Sequence, residues 1–256
     1  VSASFVFMAG ICILSTMLAV LQRDQIMALL SFAGGRLAPI LLSTGEGNHI
    51  VLFSFYGLLT LGEIGILRFL PWRLLPLVSF AFTAGVGAIW GMRSYVPEFF
   101  PEAEGFLLLF FFLYAGISVY QALKGAKDRL RFCDVLLVFA VPLAAGTMQW
   151  HLLRGTEFGM AFSCLGLGAV YLGIASLLRN KDSQARGFLF DSALALGVAA
   201  LTLAVPFALS RDLTAAAWCV EGAALVWICA RMKRSEGVTV GLILQIIAGG
   251  LYIMLI

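Results

Sequence analysis

SFAGGRLAPILLSTGEGNHIVLFSFYGLLTLGEIGIL, Ser31 to Leu67, is two apolar runs joined by a short polar turn. An α-helix needs about 20 apolar residues to cross hydrocarbon about 30 Å thick, because each residue rises about 1.5 Å. The returning run from His49 has that length, and the outgoing run gains it when followed back to Gln25. Neither run alternates with a period of two, which excludes the strands of a membrane barrel. The stretch reads as a helical hairpin in lipid. It also carries a permanent cation, Arg36, inside the outgoing run and a carboxylate, Glu63, inside the returning one.

The rest of the chain repeats this texture. It is 61% hydrophobic and 12% charged, with a mean hydropathy of +0.99. A soluble domain carries about 25% charged residues, so this polypeptide cannot build a water-compatible surface. Ten candidate spans lie near residues 1–21, 25–43, 49–69, 74–92, 104–123, 133–150, 158–178, 187–209, 213–230 and 238–256. Short polar joints make sequence neighbours antiparallel neighbours in space. The expected fold is an all-α, polytopic transmembrane helical bundle of about ten spans over residues 1–256, a single transmembrane domain. Apolar from Val1, with no basic region or cleavage site ahead of the first run, it reads as a fragment of a longer membrane protein rather than as a signal peptide.

The joints fall into two alternating sets. Thirteen of the 17 basic residues lie in one set: Arg23, Arg68, Arg73, Lys124, Lys127, Arg129, Arg131, Arg179, Lys181, Arg186, Arg231, Lys233 and Arg234. Arg93, Arg154 and Arg211 lie in the other, which also holds Glu46, Glu98, Glu102, Glu104, Glu157 and Asp212. Basic residues accumulate in cytoplasmic loops of inner-membrane proteins. The expected location is the bacterial inner membrane, multi-pass, with the basic loops cytoplasmic. The net charge of +3 then follows from topology and implies no nucleic-acid partner. Trp72, Tyr120 and Trp227 toward one side, and Trp90, Tyr95 and Trp150 toward the other, are the aromatic anchors expected at headgroup depth.

A weak repeat supports construction from hairpins. LAPILLSTGEGNHIVLFSFYGLLTLGEIGIL and AVPFALSRDLTAAAWCVEGAALVWIC share a small residue before proline, an apolar run ending in serine, a polar turn, and a returning span with a glutamate. Small residues at helical spacing, such as Cys164 and Gly168 or Ala193 and Gly197, suit close helix packing in lipid. Pro39, Pro142 and Pro206 each free a carbonyl one turn earlier. Cys12, Cys133, Cys164, Cys219 and Cys229 have no metal or redox spacing and read as small packing residues.

Three ionisable groups lie well inside spans: Arg36, Glu63 and Glu221. Arginine or aspartate at a helix centre costs at least about 2.5–3.5 kcal/mol, so each such group needs a partner or a watery cavity. Arg36 lies roughly 10 Å below the outer end of its span, Glu221 roughly 12 Å and Glu63 roughly 21 Å. That depth match selects an Arg36–Glu221 contact between the second and ninth spans. Asn48, His49, Gln149 and His151 fall near the outer ends of their spans, where they could gather around a polar ligand. The candidate ligand-binding residues are Glu221, Arg36, Asn48 and His49. No Walker loop, Gly-x-Ser-x-Gly elbow or His-x-x-x-His pair is present, so no catalytic residue, metal ligand or cofactor is assigned.

At LLSFAGGRLAPILLSTGEGNHIVLFSFYGLL and LTLAVPFALSRDLTAAAWCVEGAALVWI the chain resembles a large bacterial family of predicted membrane proteins, the domain-of-unknown-function family 2339. The likeness extends through FLLLFFFLYAGISVY and DVLLVFAVPLAAGTMQ. Gly34, Gly35, Ala38 and Pro39, the Asn48–His49 turn, and Trp218 with Glu221 and Gly222 carry most of it. The resemblance implies a long multi-spanning inner-membrane protein, often with a polar N-terminal region and further spans. In that pattern an apolar residue takes the place of Arg36 and Glu63 is not a fixed feature, which sets Glu221, Asn48 and His49 ahead of them. The family brings no activity with it.

The functional expectation is binding or translocation of a small solute or lipid-like molecule through an inter-helix cavity. The partners expected are membrane lipids, a small-molecule or lipid ligand, and a membrane-protein partner. The alternatives are a structural or assembly subunit of a cell-envelope complex, and an enzyme acting on a lipid-linked substrate with Glu221 or His49 as acid or base.

Overall fold

The computed structural model of the chain describes residues 2–41, 48–70, 72–124, 132–178, 184–209, 211–231 and 235–253. The described residues form ten α-helices: α1 Ser2–Gln22, α2 Gln25–Leu41, α3 His49–Leu67, α4 Leu74–Arg93, α5 Phe100–Lys124, α6 Phe132–Leu152, α7 Gly159–Leu178, α8 Gln184–Ala208, α9 Arg211–Arg231 and α10 Ser235–Ile253. A single 3-10 turn, Pro97–Phe99, precedes α5. Each helix falls on one expected span, and the largest displacement of an end is four residues, at the start of α5. Among the described residues, six helices, α3 to α8, are long and apolar enough to cross a membrane. Leu213–Trp227 and Gly237–Ile253 are apolar but shorter. Lys127, Arg129, Arg131, Arg179, Lys181, Lys233, Arg234 and Glu46, used above to sort the joints, lie outside the described residues.

The turns have local causes. Arg23 takes a left-handed φ of 55°, and its N–H reaches Val20 O at 3.2 Å while Asp24 N–H reaches Ala19 O at 3.0 Å. These bonds close the carbonyl end of α1. Asp24 Oδ1 then accepts from Ile26 N at 2.9 Å and Met27 N at 3.3 Å, capping α2. One aspartate and one strained residue thus make the α1–α2 hairpin. At α3, Asn48 is the cap, its Oδ1 accepting from Ile50 N at 2.8 Å.

The chain divides into two compact units. The first comprises residues 1–152 and 178–192 and contains α1 to α6 with the start of α8. In it α2 packs on α1, α3 and α4, α5 packs on α3 and α6, and α4 packs on α6. The buried face of α4 reads Leu75, Pro76, Ser79, Thr83, Val86, a spacing of three and four that is one side of a helix. Leu75 belongs to an apolar cluster with Ala19, Ala28, Phe32 and Trp72. Val86 belongs to another with Phe53 and Tyr56, against which Trp90, Phe106 and Phe110 pack. Ser79 and Thr83 lie between them, so the unit holds a polar layer sandwiched by two apolar ones.

The second unit comprises residues 153–177 and 193–256, with α7, the rest of α8, α9 and α10. Its helices meet through glycine. A Cβ on Gly168 of α7 would fall 2.7 Å from Leu201 Cδ2 and 3.2 Å from the Gly197 carbonyl of α8. A Cβ on Gly222 of α9 would fall 2.8 Å from Gly241 O of α10. Gly168 and Gly197 each belong to a small-residue ridge read from the sequence, Cys164 with Gly168 and Ala193 with Gly197, and here the two ridges meet.

Candidate functional site

The polar layer of the first unit is built by Arg36 from α2, Tyr56, Thr60 and Glu63 from α3, Ser79 and Thr83 from α4, and Tyr114 from α5. Arg36, Thr60 and Glu63 are 0% exposed and Tyr114 1%. Tyr56, Thr60 and Glu63 stand four and three residues apart on α3, which puts all three on the side facing α2 and α4. Arg36 Nη2 approaches Glu63 Oε2 at 3.4 Å and donates to Thr60 Oγ1 at 3.2 Å. Thr60 Oγ1 lies 3.4 Å from Tyr114 OH, and Tyr114 OH lies 2.9 Å from Thr83 Oγ1. Tyr56 OH donates to the Arg36 carbonyl at 2.5 Å. The Phe32 ring, one turn back on α2, sits 5.7 Å from the guanidinium carbon, a cation–π distance.

Arg36 therefore meets Glu63, which corrects the Arg36–Glu221 expectation. Counting depth along the backbone left out side-chain direction. Side chains lean toward the N-terminus of their own helix. On the antiparallel pair α2 and α3, Arg36 leans toward Gln25 and Glu63 leans toward His49. Their Cα atoms differ in height by about 10 Å, and the two side chains point into that gap from opposite ends.

The pairing is incomplete. A guanidinium has five N–H donors, and those on Nε and Nη1 are buried without a partner. Glu63 Oε1 is likewise buried and unpaired. Ser79 is the neighbour placed to donate to Glu63, but its Oγ makes no hydrogen bond of normal length. The Arg36–Glu63 separation also exceeds the about 2.7–2.9 Å of a good charge-assisted bond. The layer can thus offer donors from Arg36 and an acceptor from Glu63 to a group placed among them.

Asn48, His49, Gln149 and His151 are not among the residues that build this layer. Asn48 is exposed, and its side-chain oxygen is engaged as the α3 cap. His49 lies between two rings, its centroid 5.1 Å from Trp90 and 4.4 Å from Phe99, and its Nε2 is buried without a partner. Gln149 donates to Glu104 Oε1 at 2.7 Å, and His151 is exposed. Glu221 belongs to the second unit. Thr202 Oγ1 donates to its Oε1 at 2.5 Å, and Trp218 Nε1 holds the Thr202 carbonyl at 3.1 Å. Glu221 also lines an open, otherwise apolar groove of about 600 Å³ with Leu213, Ala216, Ala217, Val220 and Ala224. Thr60, Ser79, Thr83 and Tyr114 are not among the residues that the sequence singles out. A signal for them is present nonetheless, since Tyr56–Thr60–Glu63 and Ser79–Thr83 each repeat a polar residue at helical spacing inside an apolar run.

A family model described as "Predicted membrane protein (DUF2339)" matches residues 1–256. No curated protein matches the chain, and no solved structure does.

Proposed function

The chain belongs to the DUF2339 family of predicted membrane proteins, and from that premise we propose that it binds a small polar solute, and passes it across the bilayer, at the layer centred on Arg36 and Glu63. The observation that carries this reading is the set of unpaired atoms at zero exposure: Arg36 Nε and Nη1, and Glu63 Oε1. A clamp serving only to join helices gains by pairing every buried donor and acceptor, because each one left unmet costs about 1–3 kcal/mol. An ionisable residue inside a membrane segment is by default a candidate for a ligand or ion pathway. Asn48 is occupied as a cap, so His49, with its free Nε2, is the better candidate for a contact at the α2–α3 turn end of the same unit.

The asymmetry of basic residues between alternate joints supports an inner-membrane orientation with Arg23, Arg68, Arg73 and Lys124 on the cytoplasmic side. The layer then lies near the middle of the bilayer, and His49 lies toward the outer face.

Native mass spectrometry of the purified full-length protein tests the reading, with the Arg36→Leu/Glu63→Leu double variant beside it. The expected result is a small polar adduct on the wild type that the double variant lacks. A wild type carrying no such adduct, or an adduct retained by the double variant, removes the proposal.

A further inference from the structure

The unmet atoms of the Arg36 layer set the chemical class of its solute. The neutral groups of the layer are engaged with backbone: Tyr56 OH donates to the Arg36 carbonyl, Thr60 Oγ1 to the Tyr56 carbonyl and Thr83 Oγ1 to the Ser79 carbonyl. The atoms left bare at zero exposure belong to the charged pair. Arg36 has three unmet N–H donors, one on Nε and two on Nη1, and Glu63 has one bare oxygen, Oε1. The complement is a group with several acceptor lone pairs and a single proton. A carboxylic acid is such a group: its two oxygens accept from Arg36, and its one proton lies between it and Glu63 Oε1.

Charge leads to the same class. Arg36 stays protonated, so the pair is neutral when Glu63 is ionised. An anion entering alone would leave one net negative charge between two apolar clusters, which is costly. One proton taken onto Glu63 restores neutrality. The step forms one O–H bond on the Glu63 carboxylate, with the proton drawn from water on the side of entry, and it breaks no bond of the solute. Among the described residues no second carboxylate stands at the layer to share that proton. Around Glu63, α2 brings Arg36, α4 brings Ser79 and Thr83, α5 brings Tyr114, and α3 itself brings Tyr56 and Thr60.

We propose, resting on the solute reading above, that the solute is an organic monocarboxylic acid, bound as its anion against Arg36 together with one proton held by Glu63.

Isothermal titration calorimetry of the purified full-length protein tests this, with butyrate and benzoate as probes and butyramide, butylamine and chloride as controls. Repeating each titration in buffers of different ionisation enthalpy counts the protons taken up. The expected result is saturable carboxylate binding with about one proton taken up per site, and an affinity that falls about tenfold per pH unit as pH rises where both Glu63 and the acid are ionised. Glu63→Gln, which has no proton to exchange, should bind the carboxylate without proton uptake and lose the pH slope. Arg36→Leu/Glu63→Leu should not bind. The proton count on the wild type needs no variant, so it decides even where Glu63→Gln folds poorly. No saturable carboxylate binding, a control bound as tightly as the carboxylates, or binding without proton uptake overturns the proposal. With the polar adduct of native mass spectrometry still present, such a result removes the acid and leaves the solute reading standing. With the adduct missing as well, both fall.

Discussion

Arg36 Nη2 stands 3.4 Å from Glu63 Oε2, with both residues at zero exposure. Two opposite charges from adjacent antiparallel helices share one buried layer, roofed by Phe53, Tyr56 and Val86 and floored by Phe32 and Leu75. Breaking such a pair by removing one partner costs more than removing both, because the survivor remains charged and unpaired.

Glu63→Leu should therefore lower the unfolding free energy in detergent by about 3–5 kcal/mol, and Arg36→Leu by a similar amount. The double variant Arg36→Leu/Glu63→Leu should recover most of that loss, since leucines of similar bulk leave no orphaned charge. Equilibrium denaturation of the four proteins measures the cycle. Additive losses would mean that the two residues do not act as a pair.

Tyr114 ties the layer to α5, but its hydroxyl is a shared and redundant link. Thr60 keeps its bond to the Tyr56 carbonyl at 2.9 Å, and Thr83 keeps its bond to the Ser79 carbonyl at 2.9 Å. Tyr114→Phe should cost only about 0.5–1.5 kcal/mol. Thr83→Val combined with it should show a coupling of less than about 1.5 kcal/mol, in line with interhelical hydrogen bonds in membrane proteins. A loss as large as that of Glu63→Leu would show that Tyr114 holds the guanidinium in place rather than only touching Thr60.

The helices were legible in the sequence, and the partner of Arg36 was not. Apolar length and the polar joints set all ten helices, because in lipid the backbone must satisfy itself within each span. The cap at Asn48 rests on a local hydrogen bond, yet beside His49 at a span end the same residue reads from the sequence as a ligand contact. Choosing between Glu63 and Glu221 required knowing which way each side chain leans and which helices touch, and tertiary contacts decide both. The sequence marks the hydroxyls only by their helical spacing. Serine and threonine are common along helix seams in membranes, and only packing separates Thr60 or Thr83 from an ordinary seam residue.

Asn48 serves structure, as the α3 cap. Asn48→Ala should then destabilise the first unit by about 1 kcal/mol, while Asn48→Asp, an equally good cap, should be nearly neutral. Thermal unfolding in detergent compares the two directly. If Asn48→Asp loses as much as Asn48→Ala, capping is not what Asn48 supplies, and a role for its side-chain amide in ligand contact returns.

The second unit makes the sharpest stability test. An alanine methyl at Gly222 would sit 2.7 Å from Gln245 Cγ and 2.8 Å from the Gly241 carbonyl, and one at Gly241 would sit 2.8 Å from the Gly222 carbonyl. A flexible side chain can retreat from such a contact, but a helix backbone cannot without moving α9 away from α10. Gly222→Ala and Gly241→Ala should each cost about 1–3 kcal/mol, the range for overpacking. Gly249 lies on the same α10, and a methyl there would meet nothing within 4 Å, so Gly249→Ala should be neutral or slightly stabilising through helix propensity. Proteolysis of the detergent-solubilised protein measures the α9–α10 hairpin directly, with faster cleavage between the two helices expected for the first two variants. Equal behaviour of all three alanines would show that the hairpin is held by something other than the close approach of Gly222 and Gly241.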